Sequence, residues 1–215
     1  VTDLDLVQGS DAWLEARVGS LGASRIAEAV ARTKTGWGAS RANLMAEMVA
    51  ERLTGTPADR FTNAAMQWGT EKEPEARAAY EFLTDVDVAL VGIVRHPTIA
   101  GTHASPDGLV GDDGLVEIKA PNSATHIDTL LGQKVPEKYV LQMNWQMACT
   151  GRRWCDFASY DPRLPEAMRL FVKRVERDDA LIATLEKDIA AFLAELEEKV
   201  ASLRALYGGE ERAAA

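Results

Sequence analysis

Glu117, Ile118 and Lys119 set an acid and a base two residues apart within the apolar run 115–120. On a strand, side chains at i and i+2 point the same way, so Glu117 and Lys119 share a face while Ile118 enters the core and leaves its carbonyl at the site. Asp107 lies ten residues before Glu117, and a hairpin closed by Gly111-Asp112-Asp113-Gly114 would bring the two carboxylates together. Two carboxylates and a main-chain carbonyl are hard oxygen donors suited to Mg²⁺ or Mn²⁺. A neighbouring ammonium can orient or deprotonate a water held by such an ion. Spacing alone does not decide this, because Glu197-Glu198-Lys199 repeats the pattern in a C-terminal helix, where it reads as a solvated face. The strand context, the bend Ser105-Pro106-Asp107-Gly108 and the acid Glu73 on an upstream helix set the first copy apart. The pair Asp112-Asp113 reads as a turn rather than a metal site.

Several elements must position these groups. The first sixty residues read as helical: an amphipathic turn over 12–18 with Trp13 and Leu14 inward, a segment 25–31 with Ser24 as N-cap, and a third helix capped by Ser40 that runs to about Leu53. Thr54-Gly55-Thr56-Pro57 stops it. The pattern predicts a further helix over about 63–83, with Pro74 marking a break or a new first turn. The period then changes to two, and strands over 86–93, 101–110 and 115–120 would form a meander, the first of them largely buried. A loop and weak helix follow Pro121, then a strong helix over 136–150 stopped by Gly151, whose Tyr139, Met143 and Met147 read as core. Strands over 154–160 and 168–175 come next. A final helix over about 178–206 carries a stripe from Leu181 through Ile189 and Phe192 to Leu203. This order gives an α/β core with extra helices at both ends.

Composition bounds the function. The chain has 215 residues, 47% apolar and 27% charged, which suits one compact domain and excludes a disordered tail protein. No apolar run approaches the roughly 20 residues of a membrane span, and the N-terminal residues lack a basic-then-apolar layout, so the expectation is a soluble, cytoplasmic protein. Cys149 and Cys155 form no CxxC pair and are too few for an iron–sulfur cluster or an all-cysteine zinc site. His96, His103 and His126 show no ligand spacing, and none enters the expected site. The net charge of −9 argues against a polyanionic partner when taken alone, yet it hides a gradient: residues 17–60 carry +3 and residues 176–211 carry −6. An acidic outer surface with a basic working face is compatible with both numbers.

Pro-Asp followed by Glu-x-Lys on adjacent strands resembles the PD-(D/E)XK nuclease superfamily. Gln8-Gly9-Ser10, Trp13, Arg17, Ala23-Ser24, Trp68-Gly69, Glu73, Ala76-Arg77, Tyr80-Glu81, Ser105-Pro106-Asp107-Gly108-Leu109, Glu117-Ile118-Lys119-Ala120-Pro121 and Tyr139-x-x-Gln142 occur in the order of the phage lambda exonuclease, or YqaJ-like viral recombinase, family. Tyr160-Asp161-Pro162-Arg163 and Val175-Glu176-Arg177-Asp178 extend the resemblance over nearly the whole chain. It implies a restriction-endonuclease-like α/β (α+β) core, a central mixed sheet flanked by helices. On this resemblance residues 1–215 would form a single domain: a helical DNA-end-binding part (1–62), a nuclease core (63–175) and a C-terminal helix and tail (176–215). It further implies a 5′→3′ exonuclease that leaves 3′ single-stranded tails on linear duplex DNA, works as a homotrimeric ring beside a single-strand annealing protein, and belongs to a phage or prophage in a bacterial host.

Carried over by position, Asp107, Glu117 and the Ile118 carbonyl would hold Mg²⁺, with Mn²⁺ able to substitute, and Glu73 would complete a second metal site. Lys119 would position the attacking water, with Gln142 beside the site. Arg17, Ser24 and Ser105 would bind the terminal 5′-phosphate. Met66, or less directly Trp37, would wedge against the bases where the strands part. Two other readings fit the same residues: a structure-specific or restriction-like endonuclease, and a nuclease-inactive module that binds DNA ends.

Overall fold

A computed structural model describes residues 3–58 and 64–207. The expected helix start at residue 63, the charges Asp59 and Arg60 of the basic stretch, and the tail 208–215 with Glu210 and Glu211 lie outside the described residues. In chain order the regular elements are α1 (Asp11–Glu15), β1 (Leu21–Gly22), α2 (Ile26–Ala29), β2 (Arg32–Thr33), β3 (Gly36–Trp37), α3 (Ala39–Thr54) and α4 (Ala64–Thr84). There follow β4 (Val88–Ala89), β5 (Val94–Arg95), β6 (Thr102–Ala104), β7 (Gly108–Val110), β8 (Gly114–Lys119), α5 (Ser123–Gly132), α6 (Glu137–Thr150), β9 (Trp154–Tyr160), β10 (Leu170–Glu176) and α7 (Asp179–Tyr207).

Five strands in the order β10-β9-β8-β7-β4 make the central sheet, in which β8 and β9 run parallel and the other neighbours antiparallel. Strand alternation divides β8 between two layers. Val116 and Ile118 join Val110, Ala158 and Tyr160 under α4, which contributes Ala76 and Tyr80. Leu115 joins Phe157 and Phe171 under α6, which contributes Met143 and Met147. A third cluster packs α2, α3, α6 and α7 around Trp145, Ile189 and Phe192. The α7 stripe is buried from Ile182 to Val200, as its spacing predicts, and Met143 and Met147 are core.

The structure departs from the sequence expectations at identifiable places. The segment 86–93 is not one long strand: only Val88–Ala89 pairs with β7, because the amides of Gly92 and Ile93 donate instead to the carbonyls of Leu4 and Asp3. Segment 101–110 breaks at Ser105-Pro106-Asp107 into β6 and β7, which belong to different sheets, and β6 lies between β1 and β5. Gln8 Nε2 stitches this break by donating to both Val91 O and Pro106 O, each at 2.9 Å. Helix α4 runs through Pro74 without stopping, since packing of Ala76 and Tyr80 on the sheet outweighs one lost backbone hydrogen bond. Ser24 and Ser40 do not cap: Gly22 precedes a 3₁₀ turn over 23–25, Arg25 is the N-cap of α2 and Gly38 that of α3, and Leu14 is 44% exposed rather than inward. The hairpin β2–β3 interrupts the stretch read as wholly helical.

Candidate active site

Registration of β7 on β8 builds the site. Gly108 pairs with Val116, so the next residues along the two strands are Asp107 and Glu117, on the face toward α6. Glu117 is 0% exposed, and three groups hold its carboxylate. Gln142 Nε2 donates to Oε1 and Gln146 Nε2 donates to Oε2, both at 2.6 Å, while the Lys119 ammonium forms an ion pair with Oε1. Asp107 Oδ2 accepts from the backbone N–H of Ile118 at 2.7 Å. The Lys119 ammonium stands 5.4 Å from the centroid of the Tyr139 ring, which stacks on Phe157.

Asp107 and Lys119 open onto a cleft of about 590 Å³, together with Met66, Gly69, Glu73, Ile118, Lys138 and Tyr139. Burial, and then the charge of Glu117, push the Asp107 carboxyl well above the usual carboxylate range, against the pull of Lys119. Burial opposes the charge of Lys119, but Glu117 and Asp107 outweigh it and raise the ammonium above its ordinary value. Asp107, Glu117 and the Ile118 carbonyl bring hard oxygen donors to one end of this cleft, so a divalent cation fits its chemistry. Glu73 lies on the cleft wall one turn from Arg77, with which it pairs. Among the described residues, no three Asp, Glu, His or Cys side chains are grouped as a ready ligand set.

Two of the residues expected at the DNA end, Arg17 and Ser105, meet at Trp13. The Arg17 guanidinium lies over the indole, with Cζ 3.8 Å from the ring centroid, and the indole N–H donates to Ser105 Oγ at 3.2 Å. Ser105 is two residues from Asp107, so one short bend joins this cluster to the carboxylates. Ser24 is exposed in the 3₁₀ turn that starts just after Gly22, whose Cα faces the guanidinium. Met66 is 52% exposed at the cleft edge. Trp37 sits apart on the β2–β3 hairpin, where Arg32 and Arg41 cover its ring.

Sequence reasoning missed two residues at these sites. Gln146 follows Gln142 by four residues on α6, so the two amides share a helix face, and that spacing was a usable signal. His103 contacts Arg17 through a strand pairing that no local spacing announces.

The family model of the YqaJ-like viral recombinase domain matches residues 12–153, a span that holds every residue of both clusters. The chain belongs to this family. Its fold is that of the alkaline exonuclease LHK-Exo from Laribacter hongkongensis: the two share 54% identity with a TM-score of 0.87, covering 93% of this chain and 98% of that one. The same exonuclease in complex with dAMP superposes equally well. A phage-related exonuclease from Haemophilus somnus 129PT shares 14% identity over 86% of this chain and 96% of its own, with a TM-score of 0.66, a likeness of fold alone. Among curated protein sequences none matches the chain. Membership of the YqaJ-like family, with the likeness to an alkaline exonuclease, places the chain among nucleases.

Proposed function

We propose that the chain is a divalent-metal-dependent 5′→3′ exonuclease that degrades one strand of linear double-stranded DNA and leaves a 3′ single-stranded tail. The observation that carries this reading is the short bend 105–107, which sets a hydroxyl beside Trp13 and Arg17 at one end and a carboxylate beside Glu117 and Lys119 at the other. Asp107, Glu117 and the Ile118 carbonyl would hold Mg²⁺ or Mn²⁺, and Glu73, released from Arg77, would help hold a second ion. Such ions, when bound, stabilise the attacking and leaving oxygens of an in-line displacement at phosphorus.

The residues of the chain supply the rest. Arg17, Ser24 and Ser105 hold the terminal 5′-phosphate; guanidinium suits this because its planar donors match phosphate oxygens. Gln142 and Gln146 keep both oxygens of Glu117 in place, and Lys119 donates a hydrogen bond that orients the attacking water. Water forms the new O–P bond, the bond from phosphorus to the 3′-oxygen of the terminal nucleotide breaks, and that oxygen leaves with a proton. The products are a 5′-mononucleotide and a strand one residue shorter that again ends in a 5′-phosphate, so each turnover recreates the recognised group. Met66 at the cleft edge would part the bases. Three copies in a ring around the duplex, handing the 3′ tail to an annealing protein, complete the proposal.

The test is digestion of linear and covalently closed circular duplex with Mg²⁺ and with excess chelator. Hydrolysis of the linear form alone, abolished by chelation, is expected. Cutting of closed circles points to an endonuclease, and binding to ends without hydrolysis points to an inactive end-binding module.

A further inference from the structure

The strand β6 holds a buried histidine against the arginine of the end-binding cluster. His103 is 1% exposed, and its backbone pairs with Gly22 of β1 on one side and Arg95 of β5 on the other. Its Nε2 accepts from Arg17 Nε at 3.2 Å, and its Nδ1 is 2.8 Å from Ser20 Oγ. An arginine Nε–H can only donate, so Nε2 carries a lone pair, the ring is neutral, and the proton sits on Nδ1, which donates to Ser20. Ser20 Oγ accepts a second hydrogen bond from Arg95 Nη1 at 3.3 Å, and Arg95 Nη2 donates to Ala16 O at 2.6 Å, tying this chain to the end of α1. The strand is itself anchored: Thr102 Oγ1 donates to Leu21 O at 2.7 Å and accepts from Trp145 Nε1 at 3.0 Å. Gly22 leaves the space, since a Cβ there would stand 3.3 Å from His103 Nε2 and 3.4 Å from Arg17 Nη2.

We infer that His103 is a positioning residue for 5′-end recognition: its neutral imidazole orients the Arg17 guanidinium over Trp13 without adding a negative charge beside the phosphate that Arg17 binds. This rests on the proposal that Arg17 grips the terminal phosphate. A carboxylate in the place of His103 would also orient Arg17, but it would repel the phosphate.

The experiment compares KM and kcat on linear duplexes with 5′-phosphoryl and 5′-hydroxyl ends for the unmodified chain, His103→Leu, His103→Gln and Ser20→Ala. His103→Leu raises KM for phosphoryl ends about tenfold, the scale of one lost hydrogen bond to a charged group, and lowers kcat much less. The difference in KM between the two ends shrinks accordingly. His103→Gln, whose amide oxygen can accept from Arg17 Nε, recovers most of it. A folded His103→Leu protein that keeps the full difference overturns the inference, and so does equal damage by Leu and Gln spread over KM and kcat. If His103→Leu does not fold, Ser20→Ala decides, since it leaves the ring in place and removes its second partner together with the longer contact from Arg95, which keeps its bond to Ala16 O: a raised KM for phosphoryl ends supports the inference and an unchanged one overturns it. An unmodified chain indifferent to the 5′-end overturns the end-binding proposal itself and this inference with it.

Discussion

At the scale of single residues, the site consists of a few charges whose geometry is held by neutral amides. Asp107, Glu117 and Lys119 were legible in the sequence because strand alternation and one tight turn fix their relation over ten residues. Gln146 and His103 were not read because each meets its partner through tertiary packing: Gln146 reaches Glu117 from a different element, and His103 reaches Arg17 across 86 positions of sequence. Glu117 has no solvent contact, so an unpartnered oxygen there would have to be satisfied by rearrangement. Gln146→Leu keeps the volume of the side chain and removes the donor to Oε2. Nuclease activity is expected to fall about 10–100-fold, the usual effect of losing a group that orients a metal ligand, and the urea midpoint to fall as well, since stranding an oxygen of a buried carboxylate costs about 1–3 kcal/mol. Activity equal to that of the unmodified chain would show that Gln142 and Lys119 suffice to hold Glu117.

At the scale of elements, long periodic segments were readable and short ones were not. The apolar stripe of α7, the strong helix α6 and the strands β8 and β9 follow local pattern because each buries a continuous face. The segment 86–95 shows the opposite: its β-branched alternation is that of a long strand, but Leu4 and Asp3 take the amides of Gly92 and Ile93, and only two short pairings survive. Pro106 contributes no N–H, which suits the place where the chain leaves one sheet for another and turns Ser105 and Asp107 toward different clusters. Gly108 allows the next step. A Cβ there would lie 2.0 Å from Val88 Cγ1 and 3.1 Å from Val116 Cγ1, so β4 can lie against β7 only if the position is bare. Gly108→Ala is expected to cost about 1–3 kcal/mol in urea unfolding, as overpacking of a tight core does, and to lower activity by shifting the adjacent Asp107. Unfolding with the original midpoint would mean that β4 yields freely.

At the scale of the whole molecule, the charge gradient folds back on itself. Three arginines of the basic stretch pair with carboxylates of the acidic helix α7: Arg32 with Asp188 at 3.0 Å, Arg41 with Glu195 at 2.8 Å, and Arg52 with Glu197. Composition showed the two stretches but not that they meet, because charge totals carry no tertiary information. These pairs tie the N-terminal helices to α7 over the cluster containing Phe192, whose ring centroid is 5.0 Å from the Arg41 guanidinium carbon. Glu195→Ala strands the buried Arg41 and is expected to lower stability by about 1–3 kcal/mol, more in dilute buffer than in high salt, as read from urea midpoints. An unchanged midpoint at both salt concentrations would contradict a role for the pair in that packing. No described helix is long and apolar enough to cross a membrane.

The central claim is that the cleft beside Asp107, Glu117 and Lys119 removes nucleotides from a 5′ end, and a time course on linear duplex labelled at either end tests it most directly. With Mg²⁺ present, a 5′ label should appear at once in mononucleotides while a 3′ label stays in a strand that shortens steadily, and Lys119→Ala should slow both changes strongly. Early release of the 3′ label, or a Lys119→Ala protein that digests at the original rate, would contradict the account.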